Sequence, residues 1–319
     1  MAKRRMGLIA FLVCFFICLA PCQVGAASTT NAKEPIFTDK DCSLTISYSY
    51  EDNVFSDLSV RLYKIAEVSA DYQYTLTPAF EKSKLALNGI RSLDEWKVIR
   101  STLETYILAN KITADFDILT NSEGKVSFDA LKTGLYLAIT DGIVKDEATY
   151  IFDSALISLP VLTSDNLWQY NVVAKAKCKV IPPAEADEET EYKVTKLWKG
   201  DDAKANRPES VELEIFHNGK SYKKVKLSDE NNWTYSWQAK DDGSDWKVIE
   251  RNIPSGYTMT VEKRENAFVM VNTLERDDTV DSDAPQTGDT SNFMLWVVLM
   301  IISGSLLIII GFTGKRNRV

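Results

Sequence analysis

Val194-Thr195-Lys196-Leu197-Trp198 alternates residue by residue and puts Val194, Lys196 and Trp198 on one face, the two-residue period of a β-strand. Two other short runs read the same way. Val248 and Glu250 share a face in Val248-Ile249-Glu250, and Met270 and Asn272 share one in Val269-Met270-Val271-Asn272-Thr273. Three polar groups, Lys196, Glu250 and Asn272, therefore sit on faces that are otherwise apolar. Burying an unpaired lysine is costly, so a fold that turns Lys196 inward must neutralise it or consume it in a bond.

Working outward, the same region holds Arg207-Pro208-Glu209-Ser210-Val211-Glu212-Leu213, Asn232-Trp233-Thr234-Tyr235 and, after the Val248 run, Gly256-Tyr257. In this order the segments strongly resemble the B-type domain of collagen adhesin, a small prealbumin-like β-sandwich, over residues 191–276. The resemblance implies that Lys196 attacks the side-chain carboxamide of Asn272 while Glu250 assists, leaving an intramolecular isopeptide bond. Desolvation favours the neutral amine that can attack, and Glu250 is expected to donate to the Asn272 carbonyl and to shuttle protons. Unreacted, the three groups make a buried salt bridge with a hydrogen-bonded asparagine. Glu262 is the competing acid, but it lacks the Gly-Tyr context that follows Glu250. The single histidine, His217, precedes Asn218-Gly219 in an expected hairpin turn and reads as an exposed turn residue.

Upstream, Pro182-Pro183-Ala184-Glu185-Ala186-Asp187-Glu188-Glu189-Thr190 is a proline and acid run that self-repels, so residues 181–190 are expected to be an extended linker. Residues 40–180 carry strand patterns at 43–50 and 60–65, with Glu51-Asp52-Asn53 as a turn between them. One helix interrupts the strands. Ser92 and Glu95 make a capping box, and Trp96, Ile99, Leu103 and Tyr106 or Ile107 recur at helical spacing. Further strands are expected at 126–128, 135–139, 150–160 and 168–176. Gly134-Leu135-Tyr136-Leu137, Ile157-Ser158-Leu159-Pro160 and Trp168-Gln169-Tyr170-Asn171-Val172 resemble the amino-terminal domains of Gram-positive pilins and related wall-anchored proteins. By that resemblance Lys177 falls where shaft pilins keep a polymerising lysine. Ala176 and Cys178 replace the flanking Pro and Asn of that motif, and a solvated lysine is the competing reading. The expected fold class is all-β: two tandem prealbumin- or Ig-like β-sandwiches, the first with one inserted helix.

The carboxy-terminal end has three parts: Ala284-Pro285-Gln286-Thr287-Gly288-Asp289 within residues 277–292, an uncharged run at 293–312, and a basic tail at 313–319. The run is about the 20 residues that a helix needs to cross a bilayer, and the basic tail prefers the cytoplasmic side. The order resembles the cell-wall sorting signal of Gram-positive surface proteins, Leu-Pro-x-Thr-Gly, which a sortase cuts between Thr and Gly before joining the new carboxyl to an amine. This implies cleavage between Thr287 and Gly288 and transfer to a peptidoglycan or pilin amine. Ala284 stands where the family has Leu, which leaves the sortase class open. A permanent membrane anchor is the alternative. A glycosylphosphatidylinositol signal lacks the terminal basic cluster and needs a spacer of about 8–12 residues.

At the other end Lys3-Arg4-Arg5, an apolar run at 6–20 and Val24-Gly25-Ala26 form a secretory signal peptide, residues 1–26. Of five cysteines only Cys42 and Cys178 survive its removal. In an exported protein an even pair invites a disulfide, here one that would close residues 40–180 into a loop, with two free thiols as the alternative. A net charge of -8 gives no electrostatic footprint for nucleic acid or an anionic membrane surface. No metal-ligand cluster or phosphate loop is visible, and no cofactor is expected. These features lead to an expectation of a non-enzymatic, wall-anchored surface protein: a stalk, minor pilin or adhesin. Its partners would be a sortase and a wall or pilin amine, with the membrane engaged through the carboxy-terminal helix before sorting. A host matrix-binding adhesin, whose partner is an extracellular-matrix protein, and a pilus base or tip subunit are the alternatives.

Overall fold

Leu44 and Ile46 are completely buried and alternate with half-buried polar neighbours, so the first patterned run pairs as a strand with one face in the core. The computed structural model describes residues 35–182, 189–201, 207–240 and 242–275, all within one compact unit that ends at Glu275. The expected signal peptide, the expected sorting motif, the apolar run at 293–312 and the basic tail lie outside the described residues. Among the described residues no helix is long and apolar enough to cross a membrane.

In chain order the main amino-terminal elements are β1 (Cys42–Ser47), β2 (Ser59–Val68), α1 (Leu93–Asn110), β3 (Phe116–Leu119), β4 (Lys125–Leu131) and β5 (Gly134–Thr140). They are followed by β6 (Ala148–Phe152), β7 (Ala155–Leu159), β8 (Asn171–Lys175) and β9 (Cys178–Ile181). One sheet has the order β8-β1-β4, a second has β7-β5-β2 with β3 along β2, and β9 pairs β6. The inner faces of these sheets meet in a core that includes Leu44, Ile46, Leu62, Phe128 and Leu159. The outer face of β2 and β5 makes a second core, where Tyr63, Ile65, Leu135 and Leu137 pack on Trp96, Ile99, Leu103 and Ile107 of α1. The expected capping box is present at the start of that helix, with Ser92 accepting from the Glu95 N–H at 3.2 Å.

The carboxy-terminal strands are β10 (Glu189–Lys199), β11 (Ser210–His217), β12 (Lys220–Ser228), β13 (Thr234–Lys240), β14 (Trp246–Glu250), β15 (Tyr257–Arg264) and β16 (Ala267–Leu274). They form two sheets, β13-β10-β16-β15 and β12-β11-β14. Val194, Leu213, Ile215, Val248 and Met270 fill the space between them. The ends of the expected linker are strand instead of extended chain. Ile181 pairs with Thr149, and Glu189 and Thr190 pair with Lys240 and Ala239, because ladder partners are available on both sides.

Helix α1 has a second covered side that its sequence does not announce. It runs along β15 and reaches β14, the edge strands on one side of the two carboxy-terminal sheets. Thr102, 2% exposed, accepts from the Val261 N–H at 2.8 Å and donates to the Val98 carbonyl at 2.7 Å, so a backbone group that an edge strand would leave open is paired. At the end of the helix Arg251 donates to the Ala109 carbonyl at 2.9 Å and to Glu214 at 2.7 Å. A cation therefore meets the negative end of the helix dipole.

The expected disulfide is corrected by strand register. β8 runs parallel to β1, with Ser43 opposite Asn171 and Ser47 opposite Lys175, so the chain reaches Cys178 beyond the far end of β1 from Cys42. Five residues of strand separate the two ends by roughly 16 Å, whereas a disulfide tolerates Cα atoms about 7 Å apart at most. Cys42 and Cys178 are free thiols. β1 and β8 are neighbours, but their shared direction sets the cysteines at opposite ends.

Candidate functional site

On β10 the inward residues are Tyr192, Val194 and Lys196, followed by the half-buried Trp198. β16 lies parallel beside it, with Lys196 opposite Met270 and Trp198 opposite Asn272, so Lys196 and Asn272 emerge on the same inner face two positions apart. β14 brings Glu250 from the facing sheet. The structure thus gathers the three polar residues that the alternation singled out. Lys196 and Glu250 side chains are 0% exposed, and so is Asn272.

Glu250 bridges the two nitrogens. Lys196 Nζ donates to Oε2 at 2.7 Å and Asn272 Nδ2 donates to Oε1 at 3.0 Å. The sequence-based expectation that Glu250 donates to the Asn272 carbonyl is not met: Asn272 Oδ1 is buried without a hydrogen-bond partner. Burial pushes the Lys196 ammonium down from 10.5 to about 8, against the opposing attraction of Glu250. A large share of this lysine is therefore an uncharged amine at mildly alkaline pH. Glu262 does not compete for it, being paired with Arg264 on β15.

A polar lid that sequence reasoning missed covers one end of this site. Lys196 Nζ lies 5.0 Å from the centre of the Trp198 ring, and the Arg207 guanidinium lies 5.2 Å from the same ring. Arg207 donates to both oxygens of Asp201, at 2.9 and 3.0 Å, and its hydrogen bond holds the Asp201 carboxyl below the usual carboxylate range. Tyr257 adds a hydrogen bond to Asp201 at 3.0 Å. Arg207 and Tyr257 both lie in the quoted motif segments, but periodicity reports the face of a residue and not its partner.

The other residues named from sequence stand apart. Lys177 is 86% exposed and 3.8 Å from Asp153. His217 ends β11 before the left-handed pair Asn218 and Gly219, and its ring stacks on Trp246 at 4.4 Å. Ala284, Pro285, Gln286, Thr287 and Gly288 lie outside the described residues.

Residues 192–273 match the family model of the Cna protein B-type domain. No curated protein matches the chain. Among solved structures, a single B repeat unit of the collagen binding surface protein of Staphylococcus aureus is 18% identical, over 74% of this chain and 99% of that one, at a TM-score of 0.26. The full-length major pilin SpaD of Corynebacterium diphtheriae is 12% identical, over 77% of this chain and 100% of that one, at 0.28. The minor pilin GBS52 of Streptococcus agalactiae is 14% identical, over 76% and 99%, at 0.26.

Proposed function

We propose that the chain is a wall-anchored structural protein of a Gram-positive cell surface, a stalk, minor pilin or adhesin, whose B-type segment cross-links itself once and does not turn over. The observation that carries this reading is the dry contact of Lys196, Glu250 and Asn272 inside the segment that matches the B-type family. An ion pair with a neutral amide, buried with no water-facing atom, is a poor way to stabilise a core, since apolar residues of similar volume do as well or better. The same three groups are well placed to react. The neutral Nζ adds to Cγ of Asn272, the bond from Cγ to Nδ2 breaks, and Glu250 carries the proton lost by Nζ to the departing nitrogen, which leaves as ammonia. No oxidant or cofactor enters that balance.

Residues 40–180 and 191–276 are then two sandwich domains carried outward on a stalk. The reading takes Ala284-Pro285-Gln286-Thr287-Gly288 as the sorting motif, with a sortase joining Thr287 to a peptidoglycan or pilin amine. The membrane holds the chain only until that transfer. A wall digest of cells that express the chain tests this: peptides should end at Thr287 in amide linkage, and Thr287→Ala should release the chain or leave it in the membrane fraction. Wall-purified chain that retains its tail through Arg318 would refute the anchoring.

A further inference from the structure

The Lys196 side chain has no exposed surface, yet Trp198, two residues further along β10, is only half-buried. The Trp198 ring lies 5.0 Å from Nζ, so at this end of the sandwich it forms part of the wall between the amine and solvent. A side chain at the end of a strand has several staggered positions open to it, and the wall stands only while the ring is held in one of them.

The contacts that hold it are polar. The Arg207 guanidinium lies 5.2 Å from the ring centre and donates to both oxygens of Asp201, at 2.9 and 3.0 Å. Asp201, 6% exposed, accepts a third hydrogen bond from the Tyr257 hydroxyl at 3.0 Å. The Tyr257 ring in turn meets Trp198 edge-on at 5.2 Å. Gly200 makes the turn that brings Asp201 back over the strand end, with φ at +76°, a conformation that a side chain would strain. A buried ion pair adds little net stability, because desolvation offsets its attraction, but a forked pair of guanidinium and carboxylate fixes geometry closely. Here it ties the exit of β10, the entry of β11 and the start of β15 around the one ring that lies beside the amine.

We infer that Asp201, Arg207 and Tyr257 are positioning residues of the cross-linking reaction: together they brace Trp198 over Lys196 and keep water from its amine. The inference rests on the proposed cross-link. Glu250 is the charged group in contact with the amine, and Arg207 and Asp201 are the charged groups behind the ring. Loosening the brace lets water reach Nζ, which favours the ammonium and makes the attacking form scarcer.

The test uses the full chain and two readouts. After cell-free synthesis at about pH 7, the appearance of a species lighter by one ammonia is followed in the wild type, Asp201→Asn, Arg207→Gln and Tyr257→Phe. In an Asn272→Ala background, which cannot react, the pH midpoint of Lys196 is read by NMR of labelled lysine and assigned by its loss in Lys196→Ala. Asp201→Asn and Arg207→Gln should each raise that midpoint from about 8 by roughly one unit and slow the cross-link about tenfold, since one unit is a factor of ten in the neutral amine. Because both break the same brace, the double variant should be no slower than either single one. Tyr257→Phe keeps the ring and should move both readouts the same way by less, and it carries the test should a charge variant fail to fold. A wild-type rate in the variants overturns the inference, and so does a slow rate with an unmoved lysine midpoint, which would mean lost packing. A wild-type chain that never loses ammonia overturns the cross-link itself, whatever the variants do.

Discussion

Lys196 is a charged side chain with no exposed surface, held next to a carboxylate and across from an amide whose oxygen has no partner. Its environment has a measurable consequence in a variant that cannot react. In Asn272→Ala the lysine keeps a folded pKa near 8 against 10.5 unfolded, so between those values the unfolded chain binds more protons. The folded state of Asn272→Ala should therefore gain stability as pH rises from about 8 to about 10.5, and the gain should vanish when Lys196→Ala is added. Denaturant midpoints across that range check it, and a flat profile would show that burial does not depress the lysine. The three buried polar residues were legible because alternation reports which face a side chain leaves from. The partner of each was not legible, which is why the orphaned Oδ1 and the Asp201–Arg207 lid came only with the folded chain.

At the scale of elements, α1 shows how far local signals reach. Its start could be read from Ser92 and Glu95 and its apolar stripe from Trp96, Ile99 and Leu103. Its second buried side could not, because that side is lined by Thr102 and Thr105, which read as polar surface yet are 2% and 3% exposed. Thr102→Val should leave the Val261 N–H unpaired and cost about 1–3 kcal/mol. Amide exchange at Val261 should quicken with it, and unchanged exchange there would mean that the helix does not cover the strand edge. Strand direction decided the cysteines in the same way. The alternating patterns located both strands but gave no sign that β8 runs parallel to β1. Under unfolding, non-reducing conditions both Cys42 and Cys178 should take up a thiol reagent. In the native chain Cys42 should lag, since burial pushes its thiol up to about 11. Failure of both to react after unfolding would restore the disulfide.

For the whole molecule, the consequence of the proposed bond lies in where it would join the chain. β10 and β16 are the first and last strands of the carboxy-terminal sandwich and lie side by side, so a bond from Lys196 to Asn272 fuses its entry to its exit. If the cross-link acts on the unfolded chain as a disulfide does, closing that loop stabilises the fold by about 4–5 kcal/mol. A load pulling on both ends then passes through the bond and spares the strands between, which suits a stalk. Glu250→Ala should remove the bond and lower the melting temperature by well over what a surface substitution costs. The most direct measurement is the intact mass of the folded chain produced as residues 27–287. The wild type should weigh one ammonia less than its sequence, and Lys196→Ala, Glu250→Ala and Asn272→Ala should each weigh their full sequence mass. A well-folded wild type at full sequence mass would contradict the cross-link and leave a buried salt bridge in its place.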